Sequence, residues 1–300
     1  VSAGCVSEAG VPFLNENDVV EGRVDCKGRP VLRSRSGCWK SAAFLIGVEV
    51  PERFGYYGIS SNLITYLTGP LGQSTASAAA NVNAWSGASS LLPLFVAFFA
   101  DSFLGRHRTI LLASALYILG LGCLTLSAVI YSSGCQTTTN ASSCSPPGLQ
   151  IVLFFISLYT VALAQSGHKP CLQAFGADQF DENDPRECKA KSSFFNWWYF
   201  SSCAGILVAL IFLSYIQDNL NWGLGFGIPC IFLCFGLIVY LLGTYTYRFP
   251  VETDQPNPFL RIGRVFIRAA RNWHASDSAV SSVAEAQGVL LQEGFQQYKY

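Results

Sequence analysis

Glu49, Glu52 and Arg53 interrupt an otherwise apolar stretch. On a helix of 3.6 residues per turn they fall within about 100° of one another, on one face. An intramembrane charge costs several kcal/mol and ordinarily faces a cavity or a partner. Pairing one glutamate with Arg53 leaves one net negative charge. A partly desolvated carboxylate beside a cation is suited to exchanging a proton near neutral pH. The plainer reading is an ion pair that locks two helices. Lys169 is the second exception, deep in an apolar run and next to Pro170, which can kink a helix and turn the ammonium toward a cavity. A lysine snorkelling to the membrane edge fits the same position. A third constellation is Asp101…Gly105-Arg106: a tight turn with opposite charges, suited to a clamp between neighbouring helices that forms and breaks.

The elements that position these residues are membrane helices. Charged residues make up 13% of the 300-residue chain and hydrophobic residues 51%. No Asp, Glu, Lys or Arg occurs over 54–100, 109–168, 192–217 or 219–247. A bilayer core needs runs of about 20 apolar residues, and backbone groups in lipid must pair within the segment, so the runs predict helices. Six are expected, roughly over 42–68, 82–104, 109–131, 150–172, 193–215 and 222–246. Strictly alternating polarity, the mark of membrane β-strands, is absent from these runs. Disorder, coiled coil and collagen are excluded, and a net charge of zero argues against nucleic-acid binding.

Lys and Arg placement orients the helices. Arg23 to Lys40, Arg106 with Arg108, Arg186 with Lys189 and Lys191, and Arg248 to Arg271 all fall on one side, so both ends are expected in the cytosol. The opposite side gains the Cys135/Cys144 pair, a candidate disulfide, and Asn140 in an Asn-Ala-Ser pattern, a candidate glycosylation site. Residues 1–40 read as a mobile cytosolic arm with no cleavable signal peptide, residues 41–247 as a six-helix membrane half-domain, and 248–300 as a cytosolic amphipathic bridge and linker. Within the last, Phe259, Ile262, Phe266, Ala270 and Trp273 share one helical face, and Arg261, Arg264, Arg268 and Arg271 another, as suits a headgroup surface. The chain has no Met, so the native amino terminus is expected to be missing.

Several motifs together resemble one family. Glu49-Val-Pro-Glu-Arg-Phe-Gly-Tyr-Tyr-Gly58 is similar to the E-x-x-E-R-F-x-Y-Y-G signature of proton-dependent oligopeptide transporters, whose plant branch is the nitrate/peptide transporter family. Gly167-His-Lys-Pro-Cys171 leading to Ala174-Phe-Gly-Ala-Asp-Gln-Phe-Asp181, and Ser193-Phe-Phe-Asn-Trp-Trp-Tyr-Phe200, resemble further stretches of that branch. The Asp101…Gly105-Arg106 loop resembles the wider major facilitator loop motif. The resemblance implies an all-α membrane protein whose six transmembrane helices form the amino-terminal half of a major facilitator fold. It also implies proton-coupled symport by alternating access. It assigns proton coupling to Glu49, Glu52, Arg53 and Lys169, substrate binding to Tyr56, Tyr57 and Lys169, and gating to Asp101, Gly105 and Arg106.

Three departures bear on substrate and packing. Peptide-transporting relatives commonly carry Arg where Ser60 stands and Asn where Cys203 stands; both suit a peptide's polar ends. Nitrate or another small anion is therefore favoured over di- and tripeptides. Val96 replaces a customary Gly. No nucleophile constellation, zinc spacing or phosphate loop is present, so neither enzyme activity, a metal nor a cofactor beyond the coupling proton is expected. His107, His168 and His274 read as isolated. Asp178, Asp181, Glu182, Asp184 and Glu187 are expected to pair with Arg186, Lys189 and Lys191. The expected partners are a small-molecule anion or peptide, the plasma or vacuolar membrane bilayer, and a missing carboxy-terminal half. The alternative is a truncated half that transports nothing and binds and regulates a full-length relative.

Overall fold

In this computed structural model the described residues are 19–136, 148–251 and 263–269. They form helices α1 (Cys38–Ser60), α2 (Leu63–Thr68), α3 (Thr75–Phe99), α4 (Arg106–Gln136), α5 (Gly148–Ala177), α6 (Pro185–Val208), α7 (Ser214–Asn219) and α8 (Trp222–Gly243). Polar caps start several of them: Ser74 accepts from the Ser77 N–H, Asp184 from Arg186 and Asn221 from Gly223. Widened π-type turns, Ala100–Leu104 and Ala209–Leu213, continue α3 and α6. Gly105, at φ 74°, then ends the α3 run, in a left-handed conformation that suits glycine.

Five helical runs are long and apolar enough to cross a membrane: Thr75–Leu104, Arg106–Ile130, Gly148–Ala177, Pro185–Asn219 and Trp222–Gly243. They match the second to sixth expected spans, with ends that extend several residues beyond most of them. The first expected span, 42–68, is not one helix. It breaks between α1 and α2, and its charges set it apart from the five apolar runs. Side chains from α7 meet the break. Gln217 Nε2 donates to the Gly58 carbonyl at 2.7 Å, serving one of the acceptors that a helix end leaves over, and Asn62 Nδ2 reaches Asp218 at 3.2 Å.

Helix α1 is the buried axis of the bundle, packed by α5, α6 and α8. Small residues let its neighbours approach closely. A Cβ on Gly205 of α6 would stand 3.1 Å from the Val50 carbonyl and 3.2 Å from Arg53 Cβ, and one on Gly236 of α8 would meet Pro51 at 3.3 Å. Apolar cores lie at both ends. One gathers Tyr66, Trp85, Tyr117, Phe154 and Phe226; the other Phe175, Phe194, Tyr240 and Tyr247. The outward faces of α3 and α8 stay apolar and exposed, with Leu94, Phe95 and Phe99 on one and Ile231, Phe235 and Leu242 on the other.

Residues 19–36 differ from the mobile arm that their polarity suggests. Strands β1 (Val19–Val24), β2 (Pro30–Leu32) and β3 (Phe249–Pro250) form an antiparallel sheet in the order β2-β1-β3. The sheet thus joins residues before position 40 to residues after position 247, and the chain falls into two units, Val1–Glu252 and Thr253–Tyr300. β-Branched Val19, Val20, Val24 and Val31 favour the pairing, and the turn closes on Asp25, whose carboxylate accepts from the N–H groups of Lys27 and Arg29. In the second unit, 263–269 is helical, with Val265, Phe266 and Ile267 exposed. The remaining face residues Phe259, Ile262, Ala270, Trp273, Arg261 and Arg271 lie outside the described residues, as does His274.

Candidate functional site

The α1 charge cluster is fully enclosed. Glu49 and Glu52 are 0% exposed and Arg53 6%. Arg53 Nε donates to Glu49 Oε1 at 2.6 Å and lies 3.1 Å from Glu52 Oε2. Ser202 of α6 donates to the same Glu49 Oε1 at 2.7 Å. The close passage of Gly205 places that serine: without a side chain there, α6 runs against the α1 backbone one turn away. One guanidinium thus faces two carboxylates. Glu49 Oε2 and both Glu52 oxygens are buried without a hydrogen-bond partner among the described residues. Leaving buried acceptors unmatched is costly, and the cluster holds one carboxylate more than its single guanidinium can neutralise.

Around it stand groups with distinct roles. Lys169 of α5 is exposed, and its charge is a weaker influence on Glu49 and Glu52 than that of Arg53. Tyr56 stacks on Trp85 with centroids 5.4 Å apart, and Tyr57 meets Tyr56 edge-on at 5.2 Å. The Trp85 indole is fixed by donation to the Leu158 carbonyl at 3.1 Å. Tyr117, which the sequence reading passed over, brings its hydroxyl against Gly55, one turn from Glu52. Ser60 is half-buried and Cys203 exposed, so neither adds charge to the cluster. Val96 leans on Gly167: a Cβ there would sit 3.0 Å from Val96 Cγ1, so the glycine of α5 absorbs the bulk carried by α3.

Just beyond the carboxy-terminal end of α5 the loop residues find partners across the fold. Gly105 makes the turn, and Arg106 donates to Asp178 at 2.6 Å. The side chains of Asp101 and Cys135, together with Asn140 and Cys144, lie outside the described residues. The acidic connector pairs differently from expectation. Arg33 takes Asp181 at 2.5 Å and Asp184 at 2.6 Å, and Arg248 takes Glu187 at 2.7 Å. Of the three expected cations, Lys191 alone forms an ion pair among the described residues, with Glu182 at 2.7 Å. The connector's charges are met by the folded amino-terminal strap and the α8 exit, which sequence neighbourhood does not reveal. His107 is not isolated either. Its Nδ1 lies 2.7 Å from the Tyr240 hydroxyl, and Phe175 and Phe249 flank the ring. Among the described residues no cluster of His, Cys, Asp or Glu fits a metal ion.

A bundle of five long apolar helical runs packed around a buried charge cluster has the build of a multi-pass membrane protein. The POT family model matches residues 107–292. Protein NRT1/PTR FAMILY 5.10 of Arabidopsis thaliana is 61% identical over 298 residues, covering 99% of this chain and 52% of that protein. Protein NRT1/PTR FAMILY 5.15 of the same plant is 56% identical over 259 residues, covering 85% of this chain and 46% of that protein. The chain belongs to this NRT1/PTR (POT) family, a family of transporters and not of enzymes. It spans about half the length of the curated relatives it matches. Among solved structures, an auto-inhibited POT family peptide transporter superposes with a TM-score of 0.58 at 27% identity, covering 72% of this chain and 39% of that one.

Proposed function

We propose that this chain is the amino-terminal half of a proton-coupled symporter that works by alternating access, with α1 as a sixth membrane span and both ends in the cytosol. The observation that carries the reading is the excess of carboxylate over cation in the α1 cluster. Two buried glutamates share one arginine, so adding one proton neutralises the surplus without removing the ion pair. Protonation of Glu52 or Glu49 weakens its hold on Arg53 and shifts the balance of contacts between α1 and α6. That change lets the cavity reopen on the other side. Lys169 holds an anionic substrate, or a carboxylate of the second half when the substrate has left.

Ser60 and Cys203 favour nitrate or another small anion as substrate, since neither supplies the Arg or Asn suited to peptide ends. Arg106 on Asp178 acts as the gating clamp. The membrane is the plasma or vacuolar one. The test is uptake of labelled nitrate and of a dipeptide by the full-length protein and its Glu52→Gln and Lys169→Ala variants, at two pH values. Glu52→Gln is expected to lose acid-stimulated uptake by about tenfold or more while still inserting in the membrane, a decade corresponding to about 1.4 kcal/mol. Lys169→Ala is expected to lose nitrate uptake at both pH values. Undiminished acid-driven uptake by Glu52→Gln would overturn the coupling role.

A further inference from the structure

The β1–β2 turn, the start of α4 and β3 line an open cavity of about 1180 Å³. Three arginines line it, Arg23, Arg106 and Arg108, against two acids, Asp25 and Asp178. Both acids are already engaged. Asp25 accepts from the N–H groups of Lys27 at 2.8 Å and Arg29 at 2.9 Å, and these backbone bonds hold its carboxyl below the usual carboxylate range. Asp178 takes Arg106 at 2.6 Å and stands a looser 3.7 Å from Arg23. Arg108 is exposed and has no ion pair among the described residues, so the cavity carries an uncompensated cation. Gly22, Gly28 and Gly105 also line it, and a Cβ on any of them would meet nothing within 4 Å, which keeps the mouth open.

One edge of the cavity is apolar. Leu104 lines it and is exposed, and from there exposed Phe103 and Phe99 continue along the α3 run as a stacked pair with centroids 6.0 Å apart. A cationic chamber that opens onto an aromatic ridge of a membrane helix matches an amphiphile whose head is anionic. We infer that this cavity takes the phosphoryl headgroup of an anionic lipid, with Arg108 and Arg23 as its contacts and the acyl chains laid along Leu104, Phe103 and Phe99. Arg108 meets the phosphate first. Arg23 can turn to it because its contact with Asp178 is the weaker of the two that Asp178 makes. A soluble phosphate would use the arginines and leave the ridge idle. The inference needs only the membrane setting of α3 and α4, and it stands whether or not Glu52 couples protons.

The test is binding of dioctanoyl phosphatidylinositol phosphate to the full-length protein in phosphatidylcholine nanodiscs, followed by native mass spectrometry and fluorescence titration. Inositol phosphate without acyl chains and dioctanoyl phosphatidylcholine are the comparison probes. The anionic lipid is expected to bind more tightly than either. The Arg23→Gln/Arg108→Gln variant should weaken it about 25-fold, at roughly fivefold per charge. Arg108→Lys should restore most of the loss attributable to that position. Arg186→Gln with Lys189→Gln, the same loss of two charges on the exposed connector outside the cavity, should leave binding unchanged. Binding undiminished in the Arg23→Gln/Arg108→Gln variant, or weakened equally by Arg186→Gln with Lys189→Gln, would overturn the site. Equal binding of acyl-free inositol phosphate would overturn the lipid as its occupant.

Discussion

Two buried ionic clusters in this protein are built from the same residue types and reach opposite states. In the first, one guanidinium serves Glu49 and Glu52, and three carboxylate oxygens accept nothing among the described residues. In the second, Arg248 is 0% exposed and fully engaged: it donates to Glu187 at 2.7 and 3.1 Å and to the Ser36 carbonyl at 2.7 and 3.2 Å. Glu187 Oε2 also accepts from the Asp181 N–H at 2.6 Å, and Gln179 clasps the Arg248 backbone from both sides. Gly37, at φ 71°, clears the space: a Cβ there would collide with the guanidinium. A satisfied cluster fixes a structure, because every change of charge leaves a buried group stranded. An unsatisfied one has a second charge state within reach. Burial alone therefore does not distinguish the two clusters; the match between donors and acceptors does.

The contrast can be broken most forcefully at Arg248. Arg248→Met strips buried Glu187 of its close cation, leaving only the Asp181 N–H at 2.6 Å and the looser Arg33 at 3.9 Å, and is expected to destabilise the full-length protein by about 3 kcal/mol in denaturant unfolding. Adding Glu187→Leu should recover most of that loss. Glu52→Gln should cost far less, since the neutral amide removes a surplus charge. At Ser202, Ala deletes a donor to a charged group and should cost about 1.5–3 kcal/mol by the same measurement, while sharpening the pH dependence of uptake by leaving Glu49 with Arg53 alone. Gly205→Val crowds the Val50 carbonyl and Arg53, and is expected to cost about 1–3 kcal/mol and to weaken the Ser202 contact through the displaced α6.

The smallest effect concerns the strap. The Arg186 N–H first, and Arg33 behind it, hold the Asp184 carboxyl below the usual carboxylate range. A carboxyl lowered in the folded state stabilises above its ordinary value, and that contribution fades as pH falls through the lowered one. Residues 19–36 should thus stay protected from hydrogen exchange at neutral pH and begin to open only below about pH 4. Opening at pH 6 would show that the Arg33 contacts contribute little.

Much of the bundle was legible because lipid enforces a one-dimensional rule: long charge-free runs become helices, and α3 to α8 obeyed it. The α1 cluster was legible for the converse reason, since charges within such a setting are conspicuous. What escaped depends on contacts distant in sequence. Ser202 looks like any small polar residue until α6 brings it to Glu49, and Arg248 reads as a positive anchor until the strap carbonyl of Ser36 closes on it. The hairpin was hidden by its polarity, although Val19, Val20 and Val24 with a Gly28 turn carried a strand signal. The break after Ser60 was hidden as well, because Gln217, the residue that serves the freed carbonyl, comes from α7.

The most direct measurement is infrared difference spectroscopy of the full-length protein in lipid between about pH 8 and about pH 5, a range that brackets neutral proton exchange. A protonated-carboxyl C=O band should appear on acidification in the unmodified protein and vanish in Glu52→Gln, while Glu187→Gln, wherever it folds, leaves it in place. A band that persists unchanged in both Glu52→Gln and Glu49→Gln would contradict a proton site on α1.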